Sequence, residues 1–179
     1  EIGHFQNGEI HGETKAWYEN GQQKIVGLFE NGKKEGNFMS WYKNGQKRSE
    51  ENFQNGNAEG VLTNWFENGQ KQAESTFKNG KKNGLTRQWF ENGNFEAKSI
   101  FLNDMPDGLL KQWYSNGQIS AEVQLHEGLV ISGTKWKPNG EICPVSNIVE
   151  GNGVWVLYNE DGVETNLSNY KNGKEVPQI

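Results

Sequence analysis

The sequence predicts an all-β fold, an elongated single-layer antiparallel meander or solenoid of 24-residue β-hairpin repeats. Three observations predict it. Trp17, Trp41, Trp65, Trp89 and Trp113 lie 24 residues apart. Phe5, Phe29, Phe53, Phe77 and Phe101 recur at the same interval, and Leu125 continues their series. Asn-Gly follows each Trp at a distance of three residues and most of the Phe at a distance of two. Self-similarity at a fixed period marks a repeat architecture, in which one supersecondary unit is stacked many times.

The turns come first, because they set the length of everything else. One Asn-Gly row falls at 20–21, 44–45, 68–69, 92–93 and 116–117, and a second at 7–8, 31–32, 55–56 and 79–80. Asn103-Asp104 and Glu127-Gly128 replace the second row later in the chain. Asn-Gly between short segments is a strong hairpin signal, since both residues tolerate positive φ. Helix is excluded, because a breaker pair every 11 to 13 residues leaves no room for one.

The strands fill the gaps. Gly36 to Tyr42 and Lys47 to Phe53 are examples, each seven residues long and close to ordinary strand length. Alternation places Asn37, Met39 and Trp41 on one face, and Gly36, Phe38, Ser40 and Tyr42 on the other. Each Trp is followed by a second ring, Tyr18, Tyr42, Phe66, Phe90 or Tyr114, so both faces carry aromatics. The repeat anchors are thus the five Trp, the Phe row at Phe29, Phe53, Phe77 and Phe101, and the glycine row at Gly36, Gly60, Gly84 and Gly108. A recurrent strand glycine reads as room for a neighbouring ring or as a bulge.

Residues 1–128 hold five or more of these repeats. After residue 128 the register slips: Trp136 comes 23 residues after Trp113, and Cys143-Pro144 interrupts the unit in what reads as a loop. Residues 129–179 are expected to be degenerate repeats forming a C-terminal cap, with Val154–Tyr158 as a closing strand.

Composition agrees with a ring-based fold. Apolar residues are only 32% of the chain, against about 45–50% with glycine in ordinary domains, yet there are seven Trp, nine Phe and five Tyr. The net charge of −5, with signs interspersed, argues against nucleic acid as a partner. No run approaches the ~18 apolar residues of a membrane helix. The chain begins at Glu1 rather than Met, which reads as a processed product whose missing N-terminus carried an export or envelope signal.

No catalytic constellation emerges. His4, His11 and His126 lack partners at metal spacing and read as solvated turn residues. Glu residues recur with the repeat, and an open ribbon offers no cleft for a carboxylate pair. Cys143 has no His near it in sequence. No enzyme activity, cofactor or metal is therefore expected. Lys33, Lys34, Lys47, Arg48, Lys71, Lys81 and Lys82 recur near turns and could line one edge as a basic stripe, although flanking Glu residues mix the charge.

The segments Trp41-Tyr-Lys-Asn-Gly-Gln-Lys and Phe77-Lys-Asn-Gly-Lys-Lys-Asn-Gly resemble the bacterial variant of the MORN repeat, over about residues 3–128. Proteins of this kind are often labelled YwqK-family antitoxins. The resemblance implies a β-hairpin array used for binding or scaffolding, without catalytic residues. The expected function is a non-enzymatic scaffold for a protein partner or for self-association. The alternative is a surface for lipid or glycan at the bacterial envelope.

Overall fold

The computed structural model describes residues 4–177, and among them every element is a β-strand. The chain divides into two compact units, Glu1–Gly84 and Leu85–Ile179. The first contains β1 (Phe5–Gln6), β2 (Glu9–Ile10), β3 (Gly12–Trp17), β4 (Gln23–Glu30), β5 (Lys33–Trp41), β6 (Lys47–Gln54), β7 (Asn57–Ala58), β8 (Gly60–Trp65) and β9 (Lys71–Lys78). β10 (Lys81–Trp89) spans the boundary. The second continues with β11 (Phe95–Leu102), β12 (Met105–Pro106), β13 (Gly108–Trp113), β14 (Ile119–His126), β15 (Leu129–Trp136), β16 (Ile142–Val149), β17 (Asn152–Tyr158), β18 (Glu164–Lys171) and β19 (Lys174–Val176). Pairing is antiparallel and sequential within each unit, the hairpin meander that the repeat predicts. Val154–Tyr158 is not the closing strand expected of it. It lies inside β17, between β16 and β18.

The two Asn-Gly rows, read alike from the sequence, make different turns. At Asn31-Gly32 both residues have positive φ, 48° and 75°, closing a two-residue loop between Glu30 and Lys33. This is the type I′ geometry, whose twist matches the flanking strands. At Asn20-Gly21 only the glycine has positive φ, 82°. There the Gly21 N–H donates to the Tyr18 carbonyl at 3.0 Å and the Tyr18 N–H to the Gln22 carbonyl at 2.8 Å. That is a type I turn closed by a glycine bulge. Glu127 and Glu150 take the Asn position of the I′ row with φ of 49° each, a conformation that costs a non-glycine residue some energy.

Repeat-to-repeat hydrogen bonds run along both rows of turns. The Asn20 carboxamide accepts from the Gln22 N–H and donates to the Lys43 carbonyl, one repeat on. Asn44 does the same toward Gln46 and Glu67. Tyr18 and Tyr42 donate their hydroxyls to the carbonyls of Trp41 and Trp65, at 2.8 and 2.7 Å. Across the other edge, the N–H groups of Gly32, Gly56 and Gly80 reach the carbonyls of Ile10, Lys34 and Ala58. Each such bond is worth only about 1 kcal/mol net, but the sequence period repeats the turn bonds, while the hydroxyl bond lapses where Phe66 and Phe90 replace Tyr.

In the second unit the I′ row curls round. The Gly151 N–H donates to the Ile131 carbonyl, the Gly173 N–H to the Gly151 carbonyl, and the Val130 N–H to the Gly173 carbonyl. The third turn therefore bonds back to the first and seals that end of the sheet.

Alternation decides which face is covered. The buried residues of the first unit include Ala16, Phe38 and Phe53, and those of the second include Ala121, Val123 and Leu125, all on the face opposite the Trp row. Phe38 sits between Phe29 and Phe53, edge-on to both, with centroids 5.3 and 5.2 Å away. It also lies flat on Gly27, where any Cβ would collide with the ring. The repeat glycines do something else. Gly36 and Gly60 have open space around the Cβ position but φ of 67° and 79°. They lie where pairing skips residues, between Leu28↔Glu35 and Val26↔Met39 in the first case. Of the two readings open from the sequence, the bulge describes them, while ring room falls to Gly27 and Gly133, outside that row.

Candidate functional site

The outer face carries the Trp row together with residues the sequence did not single out. Across each type I turn the Trp is opposite a residue of the next strand: Trp17↔Gln23, Trp41↔Lys47, Trp65↔Lys71 and Trp113↔Ile119. That opposing side chain leans toward the Trp of the following repeat. Lys47 places its ammonium 5.2 Å from the Trp65 ring centre. Phe95, in the same register, stacks between Trp89 and Trp113 with centroids at 5.4 and 5.6 Å. The result, within each unit, is a row in which Trp alternates with an intervening side chain. It is open to solvent in places, with Trp17 42% and Phe95 43% exposed. Trp41, Trp65, Trp89 and Trp113 are half-buried by their neighbours. Period arithmetic would have found the intervening row, because Gln23, Lys47, Lys71, Phe95 and Ile119 also lie 24 apart. Its varied chemistry hid it.

The inner rows place Phe53 in the core and Phe29, Phe77 and Phe101 half-buried. The glycine row supplies Gly36, Gly60, Gly84 and Gly108 with φ of 67°, 79°, 121° and 93°. The basic residues proposed as a stripe do not share one face. Lys34 turns inward, its ammonium 4.9 Å from the Phe38 ring and 4.4 Å from Phe53. Lys47 and Lys71 point outward and pair with Glu50 and Glu74. Arg48 lies over Tyr42 at 5.9 Å. Opposed charge and divided orientation leave no uniform cationic surface along these strands. Glu50 is held below the usual carboxylate range, mainly by its bond to Lys47.

The second unit contains a polar cluster that sequence reasoning missed. Cys143 and Pro144 lie within β16 rather than in a loop, and Cys143 is 1% exposed. Its sulfur is 2.9 Å from the Tyr158 hydroxyl, which donates to Glu164 at 3.3 Å. The thiol bond, then burial and the Glu164 charge, push Tyr158 ionisation far above its usual range. Lys135 is 6% exposed, with its ammonium 5.9 Å from the Tyr114 ring and 5.8 Å from Trp155. Burial pulls Lys135 below the usual lysine range, with the Cys143 charge opposing. Tyr114 donates its hydroxyl to the Trp136 carbonyl at 2.8 Å. Nothing in the local sequence distinguishes Lys135 from a surface lysine except that it falls on the inward side of β15.

The histidines are dispersed. The His11 ring nitrogen Nδ1 accepts the Asn31 N–H at 3.4 Å, His4 packs on Gly12, and His126 lies 3.5 Å from Asp107. Among the described residues no three His, Cys, Asp or Glu side chains gather as a metal cage.

This geometry defines a tandem β-hairpin repeat protein. The family model described as MORN repeat variant matches the chain four times, at residues 10–31, 34–55, 58–79 and 106–126. These four stretches are similar to that repeat. Each match ends at or beside an I′ turn and encloses one type I turn. Residues 82–103 keep Gly84, Trp89 and Asn92-Gly93 but fall outside the matches. No curated protein matches the chain. MORN repeats are generally associated with modules that interact with proteins or membrane lipids.

Proposed function

We propose that the chain is a non-enzymatic repeat scaffold whose outer aromatic row holds a protein partner or a second copy of the chain. The observation that supports this is the Trp89–Phe95–Trp113 stack with Phe95 standing 43% exposed. Pre-ordered Trp and Phe side chains lose little entropy on binding and are the usual anchors of protein interfaces. The interleaved lysines, already neutralised by Glu50 and Glu74, favour a protein surface over an anionic bilayer. The antitoxin label would be a special case of this reading, with a toxin as the bound protein.

Affinity capture by the purified chain, compared with Phe95→Lys, tests the proposal. A partner recovered by the parent chain and lost with the variant supports it. A chain that stays monomeric at high concentration and captures nothing, yet binds anionic vesicles or glycan at low salt, would replace it with the lipid or glycan reading.

A further inference from the structure

The inner face of the second unit leaves a half-open space at the place that the Phe38 ring fills in the first unit. In the first unit, Phe29, Phe38 and Phe53 interlock, and the Lys34 stem lies across them. The same repeat positions in the second unit are Leu125, where the Phe row has ended, and Leu110, 72 residues after Phe38. Val130 stands 96 residues after Lys34. Gly27, which Phe38 covers, becomes Val123, and its cross-strand partner on β15 is Gly133. Ring volume is removed and only partly returned, by Trp155 lying on Gly133.

What remains is a cavity of about 150 Å³ walled by Leu110, Val123, Leu125, Val130, Ile148 and Trp155. Two polar side chains complete it, Gln112 and Tyr170. Neither makes a side-chain hydrogen bond among the described residues. Burial, then the Glu175 charge, raise Tyr170 above the usual phenol range, so its hydroxyl is a donor at neutral pH. The closed ring of I′ turns through Val130, Gly151 and Gly173 fixes the Val130 end of this wall.

We propose that this cavity is a binding site for a small, largely apolar ring molecule with one polar substituent, of the phenol class. The pocket is half-open rather than sealed, and its volume matches that of an apolar cavity that accepts a benzene-sized guest. The six apolar walls supply the burial, while Gln112 and Tyr170 in the same lining supply polar groups for the hydroxyl. The site belongs to the second unit alone and is independent of the outer-face scaffold reading.

The test is titration of the isotope-labelled full chain with phenol, followed by the methyl resonances of Leu110, Val123, Leu125, Val130 and Ile148. Saturable shifts confined to these methyls are expected, with weaker binding of benzene because Gln112 and Tyr170 then have nothing to bond. Leu110→Phe with Leu125→Phe places rings where the first unit has Phe38 and Phe53 and should abolish the shifts. Should that pair disturb the fold, Gln112→Leu keeps the walls and is expected to weaken phenol while leaving benzene unchanged. Absence of saturable shifts in the parent chain, or shifts that survive in the folded double variant, would overturn the proposal.

Discussion

The two units use one repeat pattern to build two kinds of interior. In the first, the buried face is aromatic: Phe38 is clamped edge-on between Phe29 and Phe53 and rests on Gly27. In the second, Ala121, Val123 and Leu125 form an aliphatic cluster with Leu110, Val130 and Trp155 around it. A polar group, Lys135, is buried beside it, and a cavity remains open. Phe29 and Phe53, one repeat apart, both pack on Phe38, whose position holds Thr14 and Leu62 in the neighbouring repeats, so the ring cluster is local to that part of the first unit. The second unit has no such ring cluster, and Leu110, Val123 and Leu125 stand at the corresponding places. Closure then depends on specific long-range contacts, Trp155 on Gly133 and the ring of three I′ turns.

The strongest way to break this contrast is Phe38→Ala, which removes the central ring of the first unit. A loss of about 3–5 kcal/mol is expected in urea unfolding, as for other buried aromatic truncations. A loss below that of an average surface change would show that the three-ring cluster does not hold the unit. Gly27→Val attacks the same contact from the other side. Its branched Cβ meets the Phe38 ring, and overpacking should destabilise by about 1–3 kcal/mol. Phe38→Leu added to Gly27→Val should recover part of that loss, which a double-mutant cycle would read directly.

In the second unit the sign reverses. Replacing Lys135 by Met keeps the stem and removes a buried amine, so it should stabilise at neutral pH by about 1 kcal/mol. The pH dependence follows from linkage. The folded-state value of Lys135 lies below its ordinary 10.5, so between the two the unfolded chain holds a proton that the folded chain has lost. Stability therefore rises with pH across that window. Above the ordinary tyrosine value of 10.0 the opposite holds, because folded Tyr114, Tyr158 and Tyr170 keep protons that the unfolded chain has released. Stability should then fall as pH rises through their elevated folded values. Urea midpoints measured from neutral to alkaline pH check both limbs, and Lys135→Met should flatten the rising one only.

The hydroxyl ladder offers a finer comparison. Tyr42→Phe and Tyr114→Phe each delete one bond to a Trp carbonyl, and each should cost about 1 kcal/mol. The cost should be greater at Tyr114, which is buried, than at half-buried Tyr42. Equal values would mean that the cover over Tyr114 adds nothing. The smallest effect expected is for Glu50→Gln on the outer face of the first unit. The Lys47 pair is solvent-exposed, and its loss should change stability by no more than about 0.5 kcal/mol.

Much of this was legible in the residues themselves. The 24-residue period, the strand and turn positions and the placing of each Trp and the ring after it on opposite faces all follow from local rules. These rules need only neighbouring residues, so they survive without knowledge of distant contacts. The Asn-Gly rows show the limit of such reading. Identical dipeptides make a I′ turn in one row and a type I turn with a bulge in the other, because the register of the paired strands, not the dipeptide, sets the loop length.

Tertiary structure decided which face is buried, since both carry rings and alternation alone is symmetric. It also decided that Cys143 lies in a strand beside Tyr158, that Lys135 is inside, and that the space vacated by the Phe row is a cavity. Each depends on strands that meet after register shifts, such as those of β15 against β14 and β16. A shift of a single residue exchanges inside for outside all along a strand. The sequence by itself determined a hairpin repeat array and its two ring rows, because period and alternation are local properties. Which residues those rows enclose was left to the pairing of distant strands.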